Sequence, residues 1–170
     1  MAKKKEEKTN VMRILDQRKI PYTAHFYEDS QGPDGTREYG VHVAQALGQD
    51  PARGFKTLVA RGASGGIHVF EVPSAENLDL KKAARAAGEK SVELLHVAEI
   101  NAVTGYIRGG CSPIGMKKQF PTVFHETALD YETIYISGGR IGAQVEVAPQ
   151  ALLDLLGAGT ADIIVQQGQA

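Results

Sequence analysis

Gly105-Tyr106-Ile107-Arg108-Gly109-Gly110-Cys111-Ser112-Pro113-Ile114-Gly115-Met116-Lys117-Lys118 brings a short apolar run up to paired glycines, a serine, a proline and two lysines. Gly109 and Gly110 can take positive φ and let another group approach the main chain, while Pro113 fixes its own φ and biases Ser112 towards an extended conformation. Such a loop turns backbone N–H groups outward, as a phosphate, a carboxylate or a developing oxyanion requires. Taken alone, the same residues also fit an ordinary Gly-Pro turn between two strands.

Upstream of this stretch, the pattern predicts a helix from about Ala98 to Thr104 and a short strand from Tyr106 to Arg108 leading into the loop. Further back, Phe55 to Arg61 and Ile67 to Val72 read as strands joined by Gly62-Ala-Ser-Gly-Gly66, a hairpin. In the first of them Lys56 shares a face with Leu58 and Ala60, unusual company for a charge if that face is buried. Asn77 or Asp79 is positioned to cap an alanine-rich helix with Leu80, Ala83, Ala84 and Ala87 inward, closed by Gly88. Nearer the start, Thr9 or Asn10 caps a helix with Val11, Ile14 and Leu15 on its apolar face. Pro21 stops it, a strand alternates over Tyr22 to Tyr27, and a short helix spans Gly40 to Leu47.

Downstream, Val123 to Glu126 and Thr133 to Ser137 read as strands. The second turns at Gly138-Gly139 into Arg140 to Val147. Pro149 opens an amphipathic helix through Leu156, and Ile163-Ile164-Val165 is β-like. Hairpins and helices alternate without clean βαβ units, which points to an α+β fold with a mixed sheet.

The 170 residues fit one domain, placed at 9–166 behind a mixed-charge tail over 1–8. Hydrophobic residues at 42% and charged residues at 23% are ordinary globular values. A net charge of −1 excludes a general polyanion-binding coat, so any nucleic-acid contact must come from a local basic patch. The single cysteine, Cys111, excludes an internal disulfide framework and fits a reducing compartment. With no apolar leader and no span-length apolar run, the chain is expected to be soluble and cytoplasmic.

Several chemical signatures fail. Gly110 and Gly115 have P-loop separation, but Met116 stands where the lysine belongs. His125-Glu126 begins like a zincin motif, yet Leu129 replaces the second histidine. The five histidines are scattered, so no metal site is expected. No Gly-x-Ser-x-Gly elbow exists. Lys56 reads either as a strand lysine with its head in water or as a positioned ammonium able to polarise a carbonyl or hold a phosphate. Cys111 has no histidine nearby in sequence to activate it, and reads as a small residue packed beneath the loop.

Gly-Gly-Cys-Ser-Pro-Ile-Gly-Met-Lys-Lys resembles the signature loop of the YbaK family of aminoacyl-tRNA deacylases. Phe55-Lys56-Thr57-Leu58-Val59 resembles that family's lysine-bearing strand, and Ile136-Ser137-Gly138-Gly139-Arg140 its serine-glycine hairpin. The three blocks fall in the family's order and span about Tyr22 to Leu156. The resemblance implies a curled, barrel-like sheet flanked by helices, with no metal and no cofactor. It implies Lys56, Gly109 and Gly110 as catalytic groups, and Tyr27, Tyr39, Thr57, Ser112, Ser137 and Gln144 as the substrate pocket.

Arg108, Lys117, Lys118 and Arg140 are candidates for an acceptor-stem patch, or else ordinary solvated charges. The implied activity is hydrolysis of a mischarged aminoacyl-tRNA, foremost cysteine on proline tRNA, with the substrate's own thiol attacking its ester and a prolyl-tRNA synthetase handing over the tRNA. Gln144 departs from the acid the family often carries, and residues 31–37 form a longer loop than usual. A non-catalytic module binding a tRNA end or a synthetase, or a deacylase for another small aminoacyl group, is the alternative.

Overall fold

The computed structural model describes residues 8–28 and 39–166, with residues 39–42 by backbone only. Helix α1 (Asn10–Gln17) starts at Thr9, whose hydroxyl accepts the Met12 N–H at 3.2 Å, and buries Val11, Met12 and Leu15. This satisfies one of the orphan N–H groups of the first turn. Lys8, expected in the frayed tail, instead pairs with Asp16 at 2.6 Å. Strand β1 (Tyr22–Phe26) follows, with Tyr22, Ala24 and Phe26 against the core as alternation predicts.

Helix α2 (Tyr39–Leu47) leads to strands β2 (Phe55–Gly62) and β3 (Ile67–Pro73), an antiparallel pair that sets Lys56 opposite Val72 and Thr57 opposite Glu71. Helix α3 (Leu80–Ala87) is capped by Asp79, which accepts the Lys81 and Lys82 N–H groups at 3.0 Å, and closes at Gly88 with φ +72°. Its inward residues include Ala83 and Ala84, but Leu80 is 44% exposed. Leu80 follows the cap directly and faces the cavity described below rather than the core.

Strand β4 (Val92–Leu94) and helix α4 (Val97–Thr104) come next. The strand expected over Tyr106 to Arg108 does not form. Gly105 closes α4 with φ +87°, and the Tyr106 N–H is taken by the Thr104 hydroxyl at 3.0 Å, so the chain enters a turn. Strand β5 is Thr122–His125, β6 Ile134–Ser137 and β7 Ala143–Val147. The β6–β7 loop runs longer than the two glycines suggest, because Gly139 and Gly142 both sit at positive φ (102° and 96°) and the ladder between the two strands resumes only at Gln144, opposite Ser137.

Helix α5 (Pro149–Leu156) opens on its proline, and β8 is Gly159–Ala161. The Ile163–Val165 run is not part of that strand. Its backbone bonds instead to Asn77 and Asp79 and to the His125 ring, with a single bridge from Leu78 to Ile164.

Strands order as β1-β7-β6 in one antiparallel sheet and β4-β2-β3-β5-β8 in a mixed one, where β3–β5 and β5–β8 are parallel. The sheets meet where Gly54 bridges Tyr135 and β2 runs beside β6. The result is the curled mixed sheet of the expected α+β fold. One core lies between the small sheet, α1 and α5, and holds Leu15, Phe124, Ile134 and Leu152; the other lies under α3 and holds Phe70, Val72 and Ala83. Each large side chain buried there contributes about 1.5–3 kcal/mol.

Candidate active site

Where the two sheets curl towards each other, a cavity of about 500 Å³ opens. Strand β2 supplies Lys56, Thr57 and Leu58, the hairpin β6–β7 supplies Ser137 and Gln144, and the 105–118 loop supplies Arg108, Gly109 and Cys111. The topology explains this convergence, since Gly54 joins β2 to β6 and the loop packs on the hairpin. A methyl at Gly110 would stand 3.0 Å from Arg140 Cα and 3.2 Å from Ile141 N. Only glycine permits that approach without displacing backbone.

Of the three residues expected to be catalytic, the fold brings two to the cavity. Lys56 is half-buried in its wall, and Gly109 adopts φ +85° there. Gly110 does not offer a free amide, because its N–H donates to the Ile107 carbonyl at 3.0 Å and closes a tight turn. Its place in the fold is the close packing just described. Ser112, expected in the pocket, is fully buried and its Oγ accepts the Ile114 N–H at 3.3 Å. That hydroxyl shapes the Ser-Pro bend of the loop.

Tyr27 lines the cavity. Ser137 does too, with its Oγ accepting the Gly139 N–H at 3.1 Å. Gln144, 9% exposed, accepts from Gln49 Nε2 at 2.7 Å through its Oε1. Tyr39 opens α2, and its side chain, like the 31–37 loop, lies outside the described residues. Among the four basic candidates Arg108 is exposed at the cavity. Lys117 donates to the Ala102 carbonyl at 3.3 Å, Lys118 is exposed, and the Arg140 guanidinium lies 5.7 Å from the Phe26 ring while donating to the Ile141 carbonyl.

Cys111 faces the cavity, but burial pushes its thiol up to about 12, the nearby Glu71 adds to the rise, and a hydrogen bond with Thr104 only partly opposes it. At neutral pH it is a thiol and not an attacking thiolate. Among the described residues no histidine lines the cavity: His25 contacts Glu146 at 2.9 Å, His68 contacts Glu89 at 2.7 Å, and His125 accepts the Ile163 N–H. No group of three or more metal-ligating side chains is found among the described residues. What this arrangement can do is hold a ligand between a cation, a glycine turn and hydroxyls.

Sequence reasoning missed one side of this wall and one buried group beside it. Leu78, Leu80 and Leu94 form an apolar side, with Leu80 and Leu94 each 44% exposed. Glu71, fully buried and paired with Thr57 across the β2–β3 ladder, carries the same signal as Lys56, a charge inside an apolar strand run, but lies outside the three recognised blocks.

A curled mixed sheet with a lysine strand and a glycine loop at a common cavity defines a class. Residues 36–155 match the aminoacyl-tRNA editing domain, and the chain belongs to that family. It is 46% identical over 168 residues, 98% of this chain and all of the other, to EbsC of Enterococcus faecalis, described as a candidate Cys-tRNA(Pro)/Cys-tRNA(Cys) deacylase. The crystal structure of a candidate trans-editing enzyme for prolyl-tRNA synthetase matches with TM-score 0.75 and 28% identity over 94% of this chain and all of that one. That of a hypothetical protein matches with TM-score 0.81 and 26% identity over 92% of this chain and all of that one.

Proposed function

We propose that this protein is a trans-editing deacylase that cleaves the ester of mischarged tRNA, with cysteinyl-tRNA(Pro) as the preferred substrate. The observation that carries this reading is a cavity with a lysine, a glycine turn and no activated nucleophile. Cys111 is held as a thiol, Ser112 is buried, and no nucleophile–base pair is present among the described residues. The 46% identical relative supports the substrate class.

The attacking atom then comes from the substrate. The cysteinyl sulfur bonds to its own ester carbonyl, the bond to the ribose oxygen breaks, and the thiol proton ends on that oxygen. Closing the thiol on the carbonyl is intramolecular, which removes much of the entropic barrier if the pocket holds the right rotamer. Lys56 fixes the carbonyl or the terminal adenosine, and the Gly109 turn shapes the approach to the carbonyl. Thr57, Ser137, Gln144, Tyr27 and Tyr39 shape the pocket. Arg108, Lys117, Lys118 and Arg140 stand on the loop or on the hairpin packed against it, and serve as the acceptor-stem patch.

The chain acts in the cytoplasm, where charged tRNA is found, and a prolyl-tRNA synthetase supplies the tRNA. Among the described residues no helix is long and apolar enough to cross a membrane. A second reading, a tRNA-end-binding module without turnover, is favoured by the neutral Gln144 tied to Gln49. A panel of mischarged tRNAs separates the two: catalytic release of the amino acid supports the deacylase, whereas protection of the ester supports the module.

A further inference from the structure

One wall of the cavity is apolar and open. Leu58, Leu78, Leu80 and Leu94 line it, and Leu80 and Leu94 leave much of their surface uncovered. Apolar side chains gathered uncovered in a concave site mark a place where a ligand is held. A cavity of about 500 Å³ also suits a ligand larger than one aminoacyl group.

The ladder fixes where this ledge lies relative to Lys56. Lys56, Leu58 and Ala60 share one face of β2, and Leu94 on β4 pairs with Ala60 on that same face. Helix α3, which Leu80 opens, packs against β4. Lys56 sits at the opposite end, two residues beyond Gly54, where the small sheet joins β2 and brings Ser137 and Gln144 to the cavity. Four residues of strand separate Lys56 from Ala60, about 13 Å. That spacing leaves room for a ribose between the lysine head and the leucines.

A polar group borders the ledge. Asn77 lines the cavity, is exposed, and stands on the segment entering α3. Its backbone carbonyl accepts the Val165 N–H at 2.9 Å, which ties the segment to the closing stretch of the chain. An asparagine carboxamide offers an N–H and a C=O side by side, the complement of the N7 and N6 edge of adenine. The other bases do not present that pair in the same order.

We propose that this ledge is the subsite for the terminal adenine of the substrate. Leu80 and Leu94 cover a face of the base. The Asn77 side-chain N–H donates to adenine N7, and its oxygen accepts from the N6 amino group. Lys56, a ribose away, is then left to the ester carbonyl. The inference rests on the deacylase reading, which supplies an ester carried on a nucleoside.

The test uses two stable probes, the amides of cysteine with 3′-amino-3′-deoxyadenosine and with the same nucleoside lacking the exocyclic amine. Leucine methyl NMR locates the base, because a purine ring shifts the methyls it covers. Both probes are expected to shift the Leu80 and Leu94 methyls, with the adenosine probe bound about tenfold more tightly. Asn77→Leu is expected to remove that difference, and Leu94→Ser to weaken both probes by about tenfold. Leu94 is exposed, so the serine variant keeps the core intact. Binding that leaves both leucines unmoved overturns the proposal, as does equal affinity of wild type for the two probes or an unchanged affinity in folded Leu94→Ser. Methyl shifts that follow protein concentration and not the probe assign the ledge to a second copy of the chain and also overturn it.

This assay does not depend on turnover. A wild type that seats the adenosine probe on the ledge yet cleaves no ester overturns the deacylase reading and supports this one. A wild type that cleaves cysteinyl-tRNA but shows no such shifts does the reverse.

Discussion

Lys56 stands on a central strand with Phe55 packed in the core and its own side chain in the cavity wall. Its removal takes away an electrostatic contact and little packing. Lys56→Ala is therefore expected to lower kcat/KM by about 10²-fold or more with a thermal midpoint close to wild type; a folded variant of full activity would return Lys56 to a strand lysine. Cys111→Ala is expected to keep substantial activity, since its thiol is held protonated. An inactive, folded Cys111→Ala protein with an acyl-enzyme trapped in wild type would contradict this. At Glu71 the folded state favours a proton that the unfolded chain releases above about pH 4.5. Stability attributable to this group therefore falls as pH rises through and beyond that value. Glu71→Leu removes the unpartnered carboxyl and should raise unfolding free energy at pH 7 by about 1–3 kcal/mol, with the gain shrinking towards pH 4. A loss at pH 7 would mean the carboxyl is bonded.

The 105–118 loop is held by contact with the β6–β7 hairpin, and Gly110 is where that contact is closest. Gly110→Ala forces its methyl against the Arg140 backbone at 3.0 Å. The expected cost is about 1–3 kcal/mol together with loss of activity, because Gly109 and Cys111 move with the loop; denaturant unfolding and turnover of the same variant measure both. The elements were largely legible in the sequence for local reasons. Thr9 and Asp79 announce their helices, Gly88 and Gly105 close theirs, and alternation over Tyr22 to Phe26 gives the buried face. What failed depended on partners distant in sequence. The β-like Ile163 to Val165 run bonds to the Asn77–Asp79 segment, and the apparent strand at 106–108 has its first amide taken by Thr104. The same limit applies to the site. Lys56 and Gly109 carry local signals, whereas the burial of Ser112, the spent amide of Gly110 and the isolation of Glu71 follow from packing.

For the molecule as a whole, a net charge of −1 leaves tRNA attraction to a few side chains. With Arg108, Lys117, Lys118 and Arg140 as the patch, the log–log salt slope of tRNA binding should be shallow, about 3–4 in magnitude, and fall by about one for each cation removed. A steeper slope would require a larger basic surface. Acid should loosen the closing segment of the chain. Burial holds the His125 imidazole below its usual range, and its Nδ1 accepts the Ile163 N–H. The unfolded chain therefore takes up a proton before the folded one as pH falls below about 6.5, and stability drops there. His125→Gln, which keeps an acceptor, should flatten that part of the pH–stability curve; an unchanged curve would remove His125 from the account.

The central claim is that the substrate supplies the attacking atom. Single-turnover cleavage of cysteinyl-, seryl- and alanyl-tRNA, all on one proline tRNA, tests it most directly. The three esters share the tRNA, the α-amine and the carbonyl, and differ in the group on the β-carbon. Fast cleavage of the cysteinyl ester with slow cleavage of the seryl and alanyl esters is the predicted result. Equal rates on cysteinyl- and alanyl-tRNA would contradict substrate-assisted attack and assign the step to an activated water.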